Sequence, residues 1–199
     1  NLAKKKSIKY KVLEPSEIEK KYNFLKSNIN LFIEDTGIFD SHSFGLSLLK
    51  DFENNGGLIS FKTEIYSIEE GNNTFHIKFM NTDYKISCKN IILCSGLDTI
   101  DILKRSSLVS YVPEQVLCKG NYFSYSGKIK TDCLIYPIPN KLGLGIHLTC
   151  GLDGKLKFGP DTKFVDSIDY QVLDDEKDDF LKTIREYIPE IKKEELHPD

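Results

Sequence analysis

The sequence has no cysteine pair in C-x-x-C spacing, and its five cysteines, Cys88, Cys94, Cys118, Cys133 and Cys150, make an odd number. Both facts argue against a disulfide framework and against a zinc site. Several of these cysteines sit inside apolar runs, where the thiol packs as a small hydrophobe. A reducing, cytoplasmic setting with no bound metal is therefore expected. No apolar run approaches the roughly 18 residues that a membrane span needs. The opening NLAKKKSIKY has no apolar core behind its lysines and no initiator methionine, so no secretory leader is legible and a fragment is expected. The net charge of −3 gives no basic footprint for nucleic acid. Internal repeats and low-complexity segments are also lacking.

What is present suits a folded α/β chain, in the broad α+β sense. The length of 199 residues allows one large domain or one and a half small ones, and 12 Phe with 10 Tyr can build a core. Charge is uneven: residues 1–150 hold 19 basic and 16 acidic side chains, residues 151–199 hold 8 and 14. The acidic run Asp174, Asp175, Glu176, Asp178, Asp179 suits the start of a solvated helix.

The pattern divides near residue 109. Ser16 to Glu19 reads as a capping box opening a short helix. Asp40-Ser41 reads as an N-cap, followed by Phe44, Leu48, Leu49 and Phe52 on one helix face, with Gly56-Gly57 as the stop. Short strands are expected at 58–61 and 63–69, then a hairpin turn at 71–73, then alternation through Phe75, Ile77 and Phe79. The run Asn90 to Cys94 is continuously apolar, as in a strand buried on both faces, and it ends in Ser95-Gly96. This order matches the second half of a dinucleotide-binding α/β domain, whose ligands collect at strand carboxyl ends. A plain strand-to-helix turn would read the same way.

From Val112 onward, strands alternate with loops. Lys119-Gly120 could bring an ammonium to an acidic ligand, or be a surface lysine beside a bulge glycine. Residues 132–138 and 143–150 read as a hairpin turning through Pro139-Asn140-Lys141, with Gly143 and Gly145 in its second arm. That arm carries His147 among apolar neighbours. A lone imidazole there suits an active-site wall; equally, it suits a buried histidine bonded to backbone. Phe180, Leu181, Ile184 and Tyr187 mark one face of a closing helix.

Eight short motifs occur in order: EP at 14–15, TGIFD at 36–40, ILCSG at 92–96, KGNYF at 119–123, YPIP at 136–139, LGLGIHLT at 142–149, LDG at 152–154 and GPD at 159–161. Together they resemble the L-2-hydroxyglutarate oxidase/dehydrogenase family of the FAD-dependent D-amino-acid-oxidase superfamily. The family's N-terminal Gly-x-Gly-x-x-Gly and its C-terminal Gly-Ile-Arg-Pro segment have no counterpart here. The resemblance implies an internal stretch of a flavoenzyme, with part of an FAD-binding Rossmann-like domain and a mixed or antiparallel substrate-domain sheet. The implied layout is 1–29 with the substrate domain, 30–108 as partial FAD domain, and 109–199 as substrate domain with closing helix.

The resemblance also implies roles. Ser95, Gly96 and Leu97 would lie beside FAD, and Ile65 near its adenine end. His147 would face the flavin as the catalytic base. Lys119, Tyr122 and Tyr136 are candidates for binding the substrate, a 2-hydroxy acid like L-2-hydroxyglutarate. The implied electron acceptor is oxygen or a quinone, the latter with peripheral association on the inner membrane face. An amine or amino-acid oxidase of the same superfamily, and a non-catalytic module with the same fold, are the alternatives.

Overall fold

The computed structural model describes residues 2–139 and 145–199. Asn140 and Lys141 of the expected turn, and Gly143, lie outside the described residues. By its contacts the chain forms two compact units, residues 1–44 with 117–199, and residues 45–116. The dividing lines differ from those expected at 29/30 and 108/109. One reason is strand pairing: β1 (Tyr10–Leu13) is hydrogen-bonded to β2 (Asn30–Ile33), with Tyr10 opposite Ile33, and this holds residues 30–33 in the first unit.

The first unit opens with α1 (Leu2–Lys5), then β1, then α2 (Pro15–Lys21). The N-cap of α2 is Glu14, not the expected Ser16. Proline suits the first helical position because its missing N–H would be unpaired there anyway. The Glu14 amide donates to the Glu17 carboxylate, 2.8 Å. After the intervening second unit come β6 (Leu117–Lys119), β7 (Phe123–Tyr125), β8 (His147–Cys150), β9 (Leu156–Gly159) and β10 (Lys163–Val165). Among the described residues of the expected hairpin, the two arms meet in an antiparallel bridge of Ile135 with Leu148.

A four-stranded antiparallel sheet runs in the order β11-β7-β9-β8, where β11 is Leu196–Pro198. The tail carried no readable strand signal, because three residues are too few to show alternation. Its pairing with β7 places Leu196 opposite Tyr125. α5 (Lys177–Ile184) covers this sheet. Phe180, Leu181, Ile184, Tyr187, Ile188 and Ile191 pack with Phe123, Leu148, Phe158 and Leu196 as one buried cluster. The 3.6-residue spacing seen in the sequence is thus a core face. Phe123 and Phe180 meet edge to face at 4.6 Å.

The second unit is a meander of β3 (Ile65–Glu70), β4 (Phe75–Phe79) and β5 (Lys85–Cys88), with α4 (Thr99–Arg105) against β3. The hairpin turn falls where expected: the Gly71 amide donates to the Thr74 carbonyl, and Asn73 takes φ +58°. The Ser106 hydroxyl receives the Ile68 amide at 2.8 Å, tying strand to helix end. α3 (Ser41–Asn54) spans the dividing line. Its start is capped as expected, Asp40 accepting the amides of His42 and Ser43 at 3.0 Å.

Three expectations fail in and around this unit. Residues 58–61 and 90–94 form no strand, and Ile92 is 87% exposed. Phe44, Leu48 and Phe52 of α3 are about half exposed. The physical reason is shared. A continuously apolar run becomes a buried strand only with a paired strand on each side, and an apolar helix stripe is buried only against a second surface. Among the described residues neither partner is present. No helix among them is long and apolar enough to cross a membrane.

Candidate functional site

His147 opens β8, at one edge of the four-stranded sheet. It is 8% exposed. Its ring Nδ1 lies 3.3 Å from the Gly145 carbonyl. A carbonyl only accepts, so Nδ1 carries the proton and Nε2 presents a lone pair. Among the described residues none takes up Nε2. Burial lowers the pKa of the imidazole, the Gly145 bond opposing in part. The ring is therefore neutral at neutral pH, the form a base requires.

Tyr136 is brought to this histidine: the two ring centroids are 4.6 Å apart and tilted by 33°. Across the ladder His147 faces Gly159. A side chain at 159 would collide, since a Cβ there would lie 2.6 Å from both the Asn121 carbonyl and the Tyr122 ring. Glycine at this position, with φ +142°, lets Tyr122 pack directly on the strand that pairs with His147. The Lys157 ammonium sits 5.0 Å from the centre of the Tyr122 ring. Tyr122, Tyr136 and His147 thus belong to one neighbourhood built around the β8–β9 ladder.

Lys119 is placed differently. Its ammonium bonds the Asp169 carboxylate at 2.9 Å and the Gln171 carbonyl at 2.5 Å, so it fastens the loop after β10. Its side chain is largely buried by these contacts.

Two further residues form this corner without having been singled out from the sequence. Asn121 is fully buried, and its amide and side-chain nitrogen both donate to the Asp161 carboxylate, at 2.7 and 3.2 Å. They lie within the KGNYF and GPD motifs, which marked the place but not the pairing. Beside the corner, a cleft of about 340 Å³ is lined by Gly145, Ile146, Asp161, Glu176 and Phe180 among others, but not by His147. No group of three or more His, Cys, Asp or Glu side chains among the described residues is placed to hold a metal ion.

In the second unit, Ser95, Gly96 and Leu97 form a turn into a short 3-10 helix, Gly96–Asp98, ahead of α4. Gly96 takes φ +56°, and nothing lies within 4 Å of where its Cβ would be. The Ser95 hydroxyl is 3.0 Å from that of Thr99, and the Leu97 carbonyl accepts from Gln115 at 2.8 Å. An open, side-chain-free backbone corner of this kind fits the close approach of a cofactor. Ile65 begins β3 at a bulge between Ile65 and Ser67.

Comparison with known proteins places the chain in a family. Residues 1–198 match the family model described as DAO, FAD dependent oxidoreductase. The chain belongs to that family of FAD-dependent oxidoreductases, and FAD is the cofactor that goes with it. It is 30% identical to an L-2-hydroxyglutarate dehydrogenase, mitochondrial, of Arabidopsis thaliana, over 84% of this chain and 44% of the relative. It is 29% identical to an L-2-hydroxyglutarate dehydrogenase of Escherichia coli K12, over 65% of this chain and 31% of the relative. The chain thus spans less than half the length of these relatives. Its fold resembles that of a dithionite-reduced L-alpha-glycerophosphate oxidase of Mycoplasma pneumoniae with FAD bound. The TM-score is 0.81 at 19% identity, covering 94% of this chain and 50% of that one.

Proposed function

We propose that this chain is part of an enzyme oxidising a 2-hydroxy dicarboxylate of the L-2-hydroxyglutarate type to the 2-oxo acid. The observation that carries the reading is the state of His147: neutral, with Nδ1 committed to the Gly145 carbonyl and the Nε2 lone pair presented. The named relatives support the substrate class, since both are L-2-hydroxyglutarate dehydrogenases.

FAD, when bound, supplies a two-electron acceptor for the hydrogen leaving the substrate carbon. The open Gly96 corner, with Ser95 and Leu97, would hold part of it, and Ile65 would lie toward its adenine end. The chain's own contribution is proton handling and orientation. His147 Nε2 takes the hydroxyl proton as the carbonyl of the product forms. Tyr136 fixes the plane of the imidazole by ring contact. Tyr122 packs beneath the same ladder and can close the pocket wall. Lys119 is fastened to Asp169 and the Gln171 carbonyl, so its part is to hold the loop after β10.

The test is turnover of His147→Ala in the whole protein, with L-2-hydroxyglutarate and an artificial electron acceptor. Loss of a positioned base costs about 10²–10⁴-fold in rate. Activity within a few-fold of the parent would remove His147 from the reaction. A panel including amino acids separates this reading from an amine oxidase, which needs no strong base for an unprotonated substrate.

A further inference from the structure

We propose that Tyr187, in the turn after α5, is a positioning residue for His147: its hydroxyl anchors the entry to β8 so that the Gly145 carbonyl holds the imidazole as its Nδ1–H tautomer. The inference deepens the reading of His147 as the base and rests on it.

The Tyr187 hydroxyl donates to the Ile146 carbonyl at 2.9 Å, and the bond is buried. Ile146 lies between the two residues that matter, Gly145 and His147, just before regular pairing of β8 with β9 begins. The strand ladder therefore does not by itself hold this carbonyl. The next carbonyl back, that of Gly145, meets Nδ1 at 3.3 Å, a long bond that a small rotation of the peptide would break. Fixing the Ile146 carbonyl limits that rotation. Neutral imidazole has two tautomers, and the hydrogen bond at one nitrogen selects between them. Only the Nδ1–H form leaves Nε2 as proton acceptor.

The tyrosine is itself held from several sides. Its ring packs in the core cluster beside Ile184 and Ile188. Its own carbonyl accepts the Lys26 amide at 2.9 Å. Burial pushes the phenol well above its ordinary value, so it stays a donor across the working range. Phenylalanine would fill the same space and lack only the donor. The hydroxyl's effect can therefore be separated from that of the ring.

The experiment compares the whole protein with its Tyr187→Phe variant by imidazole ¹⁵N spectra, recorded above the titration of the ring. The His147 signals are assigned by their loss in His147→Gln. The parent is expected to show Nδ1–H. Tyr187→Phe is expected to raise the Nε2–H share about fivefold, the ratio that one net hydrogen bond sustains. Ile188→Val, a neighbouring core change that keeps the hydroxyl, should lower the melting temperature without moving the tautomer.

An unchanged tautomer ratio in a folded Tyr187→Phe overturns the proposal. So does a parent protein found as Nε2–H, and that measurement decides even if the variant fails to fold. The two readings fail separately. An active His147→Ala protein would remove the base and leave the anchor standing. An inactive His147→Ala protein with an unmoved tautomer in Tyr187→Phe would remove the anchor and leave the base.

Discussion

The two units spend their apolar residues differently. Among the described residues, the unit of 45–116 buries two apolar side chains, Ile68 and Ile102. All the other buried apolar side chains among the described residues, from Ile18 and Tyr22 to Leu196, belong to the first unit. The unit of 45–116 is not poor in apolar residues. Leu58, Phe61 and Ile92 are simply exposed. The contrast teaches that apolar patterning sets which face a segment wants to hide, while burial needs a second surface to hide it against.

The largest expected effect breaks the contrast at its strong end. Phe158 is fully buried in the sheet of the first unit, and Tyr125 meets it edge to face at 5.8 Å. Phe158→Ala should cost about 3–5 kcal/mol in denaturant unfolding. A loss under about 1 kcal/mol would show that this core is not the stabilising one.

A smaller effect is expected at Lys119. Lys119→Met removes the ion pair with Asp169 and the bond to the Gln171 carbonyl. Because Asp169 is more than half exposed, the loss should be about 1 kcal/mol. If the ammonium instead binds substrate directly, KM rises while stability holds, and the melting temperature alone tells the two apart.

His147 sharpens the comparison through pH. Burial depresses its folded pKa below the ordinary 6.5. The unfolded chain then binds the proton more readily than the folded one. The stabilisation is complete above about pH 6.5 and is lost as pH falls toward the folded value. His147→Gln should flatten the stability-against-pH curve in that window. Parallel curves for parent and variant would place the ring in solvent.

The smallest effect tests the weak end. Phe52 on α3 is half exposed. Phe52→Ser should change the stability of this 199-residue chain by no more than about 0.5 kcal/mol. A loss like that of Phe158→Ala would mean the α3 face is covered in solution.

Legibility followed the range of the interaction. The capping aspartate Asp40, the turn at 71–73 and the closing helix with Phe180, Leu181 and Ile184 were readable, because each is decided within a few residues; the helix ends at Ile184, and Tyr187 lies in the turn after it. Glu14 was missed as the cap of α2, since Ser16-x-x-Glu19 offered a competing signal two residues later. The strands β10 and β11 were missed because three-residue strands exist only through their partners, β6 and β7. At the site, His147, Tyr136 and Tyr122 stood out as chemistry-bearing residues. Asn121, Asp161 and Tyr187 did not, because their roles are contacts across 40 or 41 residues of chain.

By itself the sequence determined the family, through eight motifs in order, and the periodic faces of its helices and strands, because these depend only on residue type and spacing. Tertiary structure alone decided that Gly159 admits Tyr122 against the His147 ladder, that Lys119 is committed to Asp169, and that the Tyr187 hydroxyl reaches the Ile146 carbonyl. Each of these turns on a distance of a few ångströms between segments far apart in the chain, and no local pattern encodes such a distance.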